Sequence, residues 1–121
     1  MIDHPKSAMS AVVACLHALN VPVSPEVRDR QPQYVRVSRT GGGMTNMVTD
    51  RAIVLVECWA TTNLDAETLA NNARFLLGNA SGKTFAGVFV RWCKEVSGPV
   101  DFPDVTGSRY QFQIELLAST Q

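Results

Sequence analysis

The chain has 121 residues, 45% of them hydrophobic and 18% charged, and its eleven Lys and Arg balance eleven Asp and Glu. By surface-to-mass scaling such a chain buries about two thirds of the surface it would expose unfolded, which suffices for a single domain over residues 1–121 and not for two. The composition excludes disorder over most of the length, and zero net charge excludes a module that grips nucleic acid through a basic face. Neutrality also favours association over a solitary existence.

The stretch from Ser7 to Leu19 sets Met9, Val12, Leu16 and Leu19 at spacings of three and four, which predicts a helix ending before Asn20 and Pro22. From Val21 to Gln33 prolines and a charged patch follow without periodicity, so this part reads as an irregular crossing. Tyr34 to Thr40 alternates Val35 and Val37 with polar neighbours and predicts a half-exposed strand that stops at Gly41-Gly42-Gly43. A long polar loop over 41–50 is expected next. The run Ala52-Ile53-Val54-Leu55-Val56 is apolar on both faces, as an interior strand is, and continues to about Trp59.

A second helix is expected from a cap at Thr62 or Asn63 to Gly78, with Ala66, Leu69, Ala73 and Leu76 on one stripe. Two more strands, Phe85 to about Val96 and Arg109 to Ala118, enclose a second long loop over 97–108. The predicted fold class is α+β: a small mixed or antiparallel four-stranded sheet with two helices on one face, in the order α-β-β-α-β-β. Loops of such length in a small domain are functional or disordered. Met44 and Met47 in the first, and Phe102 and Pro103 in the second, are apolar where exposure is wasteful, which marks them, with Gly41, Gly42 and Gly43, as contacts to neighbouring subunits or partners, the alternative being that the methionines fold back onto their own domain.

No catalytic, cofactor-binding or metal site emerges. Gly78 to Thr84 ends in the GKT of a phosphate loop, but only three residues separate its glycines and the order is helix, loop, strand rather than strand, loop, helix. His4 and His17 lack acidic or cysteine partners at metal spacing. Cys15, Cys58 and Cys93 form no CxxC pair and are odd in number, so neither a disulfide framework nor a zinc knuckle is expected, and synthesis in a reducing cytoplasm fits best. A nucleophilic Cys58 or Cys93 needs a histidine base brought to it by the fold. Glu57, on an interior strand, is expected to pair with an arginine such as Arg36 or Arg91. The longest apolar run, Ala52 to Val56, is too short for a bilayer, and neither an export signal nor a membrane partner is expected.

The stretch Glu95-Val96-Ser97-Gly98-Pro99-Val100-Asp101-Phe102-Pro103-Asp104, closing with Thr106-Gly107-Ser108-Arg109-Tyr110-Gln111-Phe112, carries a resemblance. With Val35-Arg36-Val37, Thr40-Gly41-Gly42, Asp50 and Val56-Glu57-Cys58-Trp59-Ala60 ahead of a helix, it resembles the tail terminator, or tail completion, proteins of long-tailed, non-contractile bacteriophages, notably those infecting actinobacteria. The turn from Thr106 to Arg109 is shorter than is usual there. The resemblance implies a structural virion protein without enzyme activity or cofactor. It would form a homo-oligomeric ring of six that caps the major tail tube protein, ends tube polymerisation and meets the head-side neck connector. Phage DNA would pass through the lumen without sequence-specific binding, and the ring would be assembled in the host cytoplasm. Another ring-forming neck protein, a stopper or an adaptor, and a small cysteine-dependent enzyme are the alternatives.

Overall fold

The protein, seen in a computed structural model, is described over residues 7–26, 32–45, 49–104 and 107–119. Helix α1 spans Ala8–Cys15 and starts where the Ser7 hydroxyl accepts a hydrogen bond from the Ser10 N–H. It tightens into a 3-10 turn over Leu16–Leu19 and stops at Asn20, which takes up the left-handed conformation that asparagine tolerates better than most residues. Helix α2, Asn63–Gly78, opens at Thr62, whose hydroxyl accepts from the Asp65 N–H. Its last turn closes on Asn79 as the cap, one residue beyond Gly78.

Six strands form one sheet: β1 (Val23–Ser24), β2 (Tyr34–Met44), β3 (Thr49–Ala60), β4 (Lys83–Phe85), β5 (Val88–Asp104) and β6 (Gly107–Ser119). Their spatial order is β1-β2-β3-β6-β5-β4, with β1 parallel to β2 and every other pair antiparallel. The sheet curls into a half-barrel. The register explains the core. Val37 sits opposite Val56, which sits opposite Phe112, and Val35, Cys58 and Tyr110 form the adjoining row. These rows pack with Ala8, Ala11 and Val12 of α1 and Leu69, Ala70 and Ala73 of α2 in a single buried cluster. Both helices therefore lie on one face of the sheet, and their alanines bring the helix backbones close to it.

The four-stranded α-β-β-α-β-β architecture is thus incorrect: the described residues form six strands in a mixed, curled sheet. β1 has only two residues, too few to show a period, and is held by its parallel pairing to Val35 and Arg36. β4 arises because Ala86 and Gly87 both adopt positive φ, 52° and 77°, the backbone of a two-residue hairpin turn that folds Lys83–Phe85 back onto Val88–Val90. Both long loops are also largely strand. β2 runs through the glycines to Met44, and β5 runs through Pro99 and Pro103 to Asp104. Among the described residues no strand pairs with β5 beyond the short β4, and an edge strand tolerates proline, which has no N–H to donate.

Candidate assembly surfaces

Because β3 and β6 are antiparallel, with Thr49 opposite Ser119 and Ala60 opposite Ser108, the two long hairpins point to opposite ends of the sheet. The β2–β3 turn shares its end with Ser119 and Phe89, and the β5–β6 turn shares the other with Ala60 and the start of α2. About 35 Å of strand separates them. The structure therefore does not bring the sequence-predicted contact residues together. Gly41, Gly42, Gly43 and Met44 lie toward one end, and Phe102 and Pro103 at the other. Met47 lies outside the described residues.

At the first end, a register shift between Arg39 and Gly41 bends β2 onto β3. Gly42 has φ +93°, and a Cβ there would stand 1.9 Å from the Arg51 carbonyl oxygen, so only glycine permits this approach. Arg39 clamps the base of the hairpin. Its guanidinium donates to both carboxylate oxygens of Asp50 at 2.5 and 2.8 Å, and its Nε donates to the Gly41 carbonyl at 3.2 Å. Hydrogen bonding to Arg39 holds the Asp50 carboxyl below the usual carboxylate range, against the opposing effect of burial. Beyond the clamp Met44 is 62% exposed.

At the second end, one row across four strands holds Tyr34, Trp59, Arg109 and Phe102 on the face away from the helices. Tyr34 and Trp59 stack with ring centroids 5.6 Å apart, and the Arg109 guanidinium lies 5.0 Å from the Trp59 ring centre and 5.2 Å from that of Phe102. Beside this stack Glu57, 2% exposed, receives Arg36 on one oxygen at 2.8 Å and Arg109 on the other at 3.1 Å. Arg36 is the expected partner; Arg91 is not a partner, and Arg109 is the one that single-strand reading misses. Its signal lies in the register, which faces residue 57 with residue 111 and places residue 109 one side-chain step along. Pro103 lies opposite Ser108 in the same hairpin, and Asn63 of α2 donates to Asp101 at 3.3 Å.

The remaining sequence candidates are placed as follows. Cys58 is fully buried in the core, where burial and neighbouring Glu57 push its thiol up to about 12; burial and Cys15 push Cys93 up to about 12 as well. A thiol so shifted is protonated at neutral pH and a poor nucleophile. Gly82-Lys83-Thr84 leads into β4, so no helix N-terminus follows it. His17 is exposed on the 3-10 turn, and His4 lies outside the described residues. Among the described residues no three His, Cys, Asp or Glu gather as a metal site, and no helix is long and apolar enough to cross a membrane.

Cations on the open face of the sheet are engaged by acids: Arg36 and Arg109 by Glu57, and Arg51 and Lys94 by Glu115. Arg39 is held by Asp50 at the edge, and Arg74 of α2 by Glu95. Six of the described cations are thus neutralised locally, by four acids. No protein-family model matches this chain, and no curated protein matches it.

Proposed function

We propose that this chain is a structural phage protein of the tail terminator kind, which forms a ring of about six copies on the end of the tail tube, stops its growth and joins it to the neck. The observation that carries the reading is the placement of exposed apolar side chains at opposite ends of one sheet: Met44 on the β2–β3 hairpin at one, Phe102 on the β5–β6 hairpin with Leu64 of α2 at the other. A subunit that must meet copies of itself, a tube and a neck needs separate surfaces, and a rigid sheet keeps them apart. The sequence resemblance in Val35 to Leu117 supplies the identity of those partners.

Size agrees with this role. A 121-residue globule has a radius of gyration near 14 Å and a diameter of about 35 Å, so six in a closed ring leave an opening of about the same width, enough for a DNA duplex. The ion pairs on the open face favour passage over adhesion, since cations held by carboxylates release few counterions from phosphate. The protonated thiols of Cys58 and Cys93 speak against a cysteine-dependent enzyme.

Negative-stain imaging and native mass spectrometry of the purified chain, alone and with preformed tail tubes, test the reading. Rings, or caps at one tube end that stop elongation, are expected. Tubes that lengthen equally with and without the protein, and a chain that binds neither tube nor itself, would overturn it. A ring that binds connector but not tube would assign the chain to the stopper or adaptor proteins instead.

A further inference from the structure

The described charged side chains that no opposite charge engages are sorted by sign along the sheet. Lys83 on β4 and Arg91 on β5 are exposed at the end that holds Phe89 and Ser119. Asp65 and Glu67 in the first turns of α2, and Asp101 on β5, lie at the opposite end, and Glu26 beside β1 is the exception. Glu67 and Asp101 both act on Tyr110, which places the two acids around one side chain. The Arg36–Glu57–Arg109 group carries one excess cation near the acidic end, but on the face of the sheet away from α2. Each end also presents large apolar side chains: Met44 and Phe89 with the cations, Leu64 and Phe102 with the acids. Apolar anchors with a charged rim are the anatomy of a protein interface.

The sheet edges are poor candidates for joining copies. Edge strand β5 contains Pro99 and Pro103, its pairing with β6 shifts register three times, and its Cys93 N–H is already taken by the Ser81 hydroxyl. β2 is covered by β1 at Val35 and Arg36 and shifts register after Arg39. Such edges resist the addition of another strand.

We propose that copies of this chain join end to end, the cationic Lys83–Arg91 end of one seating on the acidic Glu67–Asp101 end of the next. This rests on the ring reading and names its contact. The two surfaces differ, so the contact is heterologous, the kind that propagates around a closed ring. Asp65 and Glu67 also complement the positive end of the α2 dipole. That role leaves Asp101, and the gathering at the far end of the two described cations that no acid engages, without a reason.

The test uses the full chain in sedimentation velocity and native mass spectrometry at low salt, where charge effects are least screened. Lys83→Glu with Arg91→Glu, and separately Glu67→Lys with Asp101→Lys, each set like charges face to face. Each pair weakens assembly by about a hundredfold or more. An equimolar mixture of the two doubly substituted chains restores the oligomer with equal numbers of each, because every contact is again between opposite charges. Circular dichroism verifies that both remain folded, and the milder Lys83→Gln with Arg91→Gln gives a partial loss. Either reversed variant assembling like the wild type overturns the contact, as does a mixture of two folded variants that stays monomeric. In both cases wild-type rings would leave the ring reading intact. A wild type monomeric at every concentration overturns the contact and leaves the ring reading to the tube-capping assay.

Discussion

The two faces of the sheet are built on different principles. Toward the helices, Val37, Val56 and Phe112 stand in a row that is closed by the alanines of α1 and α2, and every group there is apolar. On the other face the corresponding row is Tyr34, Trp59, Arg109 and Phe102, with Glu57 bridging two arginines beside it. The first face is held chiefly by water exclusion, with the Arg74–Glu95 pair and the Asn63–Asp101 hydrogen bond at its margin. The second is held by stacking and ion pairs whose strength depends on pH and salt, and its buried Trp59 Nε1, Arg109 Nε and Ser38 Oγ have no hydrogen-bond partner. Stability is concentrated on the helix side; the open side gives up stability and keeps the chemistry with which surfaces recognise each other.

That contrast is sharpest where it is most easily broken. Phe112→Ala empties the largest fully buried side chain of the helix face and is expected to lower unfolding free energy by about 3–5 kcal/mol in urea titration. Glu57→Gln leaves Arg36 and Arg109 facing each other without a carboxylate; because both arginines keep part of their surface in water, a smaller loss of about 1–3 kcal/mol is expected. The third case is pH. Asp50 and Glu115 have folded-state pKa values lowered by Arg39 and Arg51, so their stabilisation is complete above the ordinary carboxylate range and is lost as pH falls from that range through the lowered values. Urea midpoints are therefore expected to drop between about pH 5 and pH 3, and Arg39→Gln to flatten that drop. Smallest is Phe102→Ala, which costs less than about 1 kcal/mol because the ring is half exposed and sits against the partly exposed Arg109 guanidinium. Its effect is expected in assembly, read by sedimentation, and equal losses of stability from Phe102→Ala and Phe112→Ala would erase the distinction between the faces.

Much of the helix face was legible in the sequence because burial writes itself as period. Alternation in Val35 and Val37 and in Phe112, Ile114 and Leu116 fixes which side chains point inward, and Thr62 and Ala66 mark where α2 begins and what it buries. The hairpins were misread for a physical reason. Glycine and proline usually interrupt strands, yet Gly42 here lets β2 touch the Arg51 carbonyl, and Pro99 and Pro103 sit on an edge where no donor is needed. Two-residue β1 and three-residue β4 are fixed by their neighbours, Val35 and Arg36 for one and the Ala86-Gly87 turn for the other, and carry no pattern of their own. Of the surface candidates, the exposed Met44 and Phe102 could be named from apolarity in polar surroundings. The row of Tyr34, Trp59, Arg109 and Phe102 could not, because it is made by three strand pairings, of which the one joining Trp59 to Arg109 brings together residues far apart in the chain.

The order β2-β3-β6-β5 has a consequence for how the molecule comes into being. β3 lies at the middle of the sheet, but its second neighbour is β6, the last strand in the chain. While the chain is being synthesised, β2 and β3 can form their hairpin and α2 can coil, yet one flank of β3 stays open until Gly107–Ser119 emerges from the ribosome. Pairings that wait for distant sequence are slow and leave sticky edges exposed meanwhile. The Arg39 clamp and the obligatory Gly42 then act as an early brace, giving the nascent hairpin a fixed register to offer when its partner arrives.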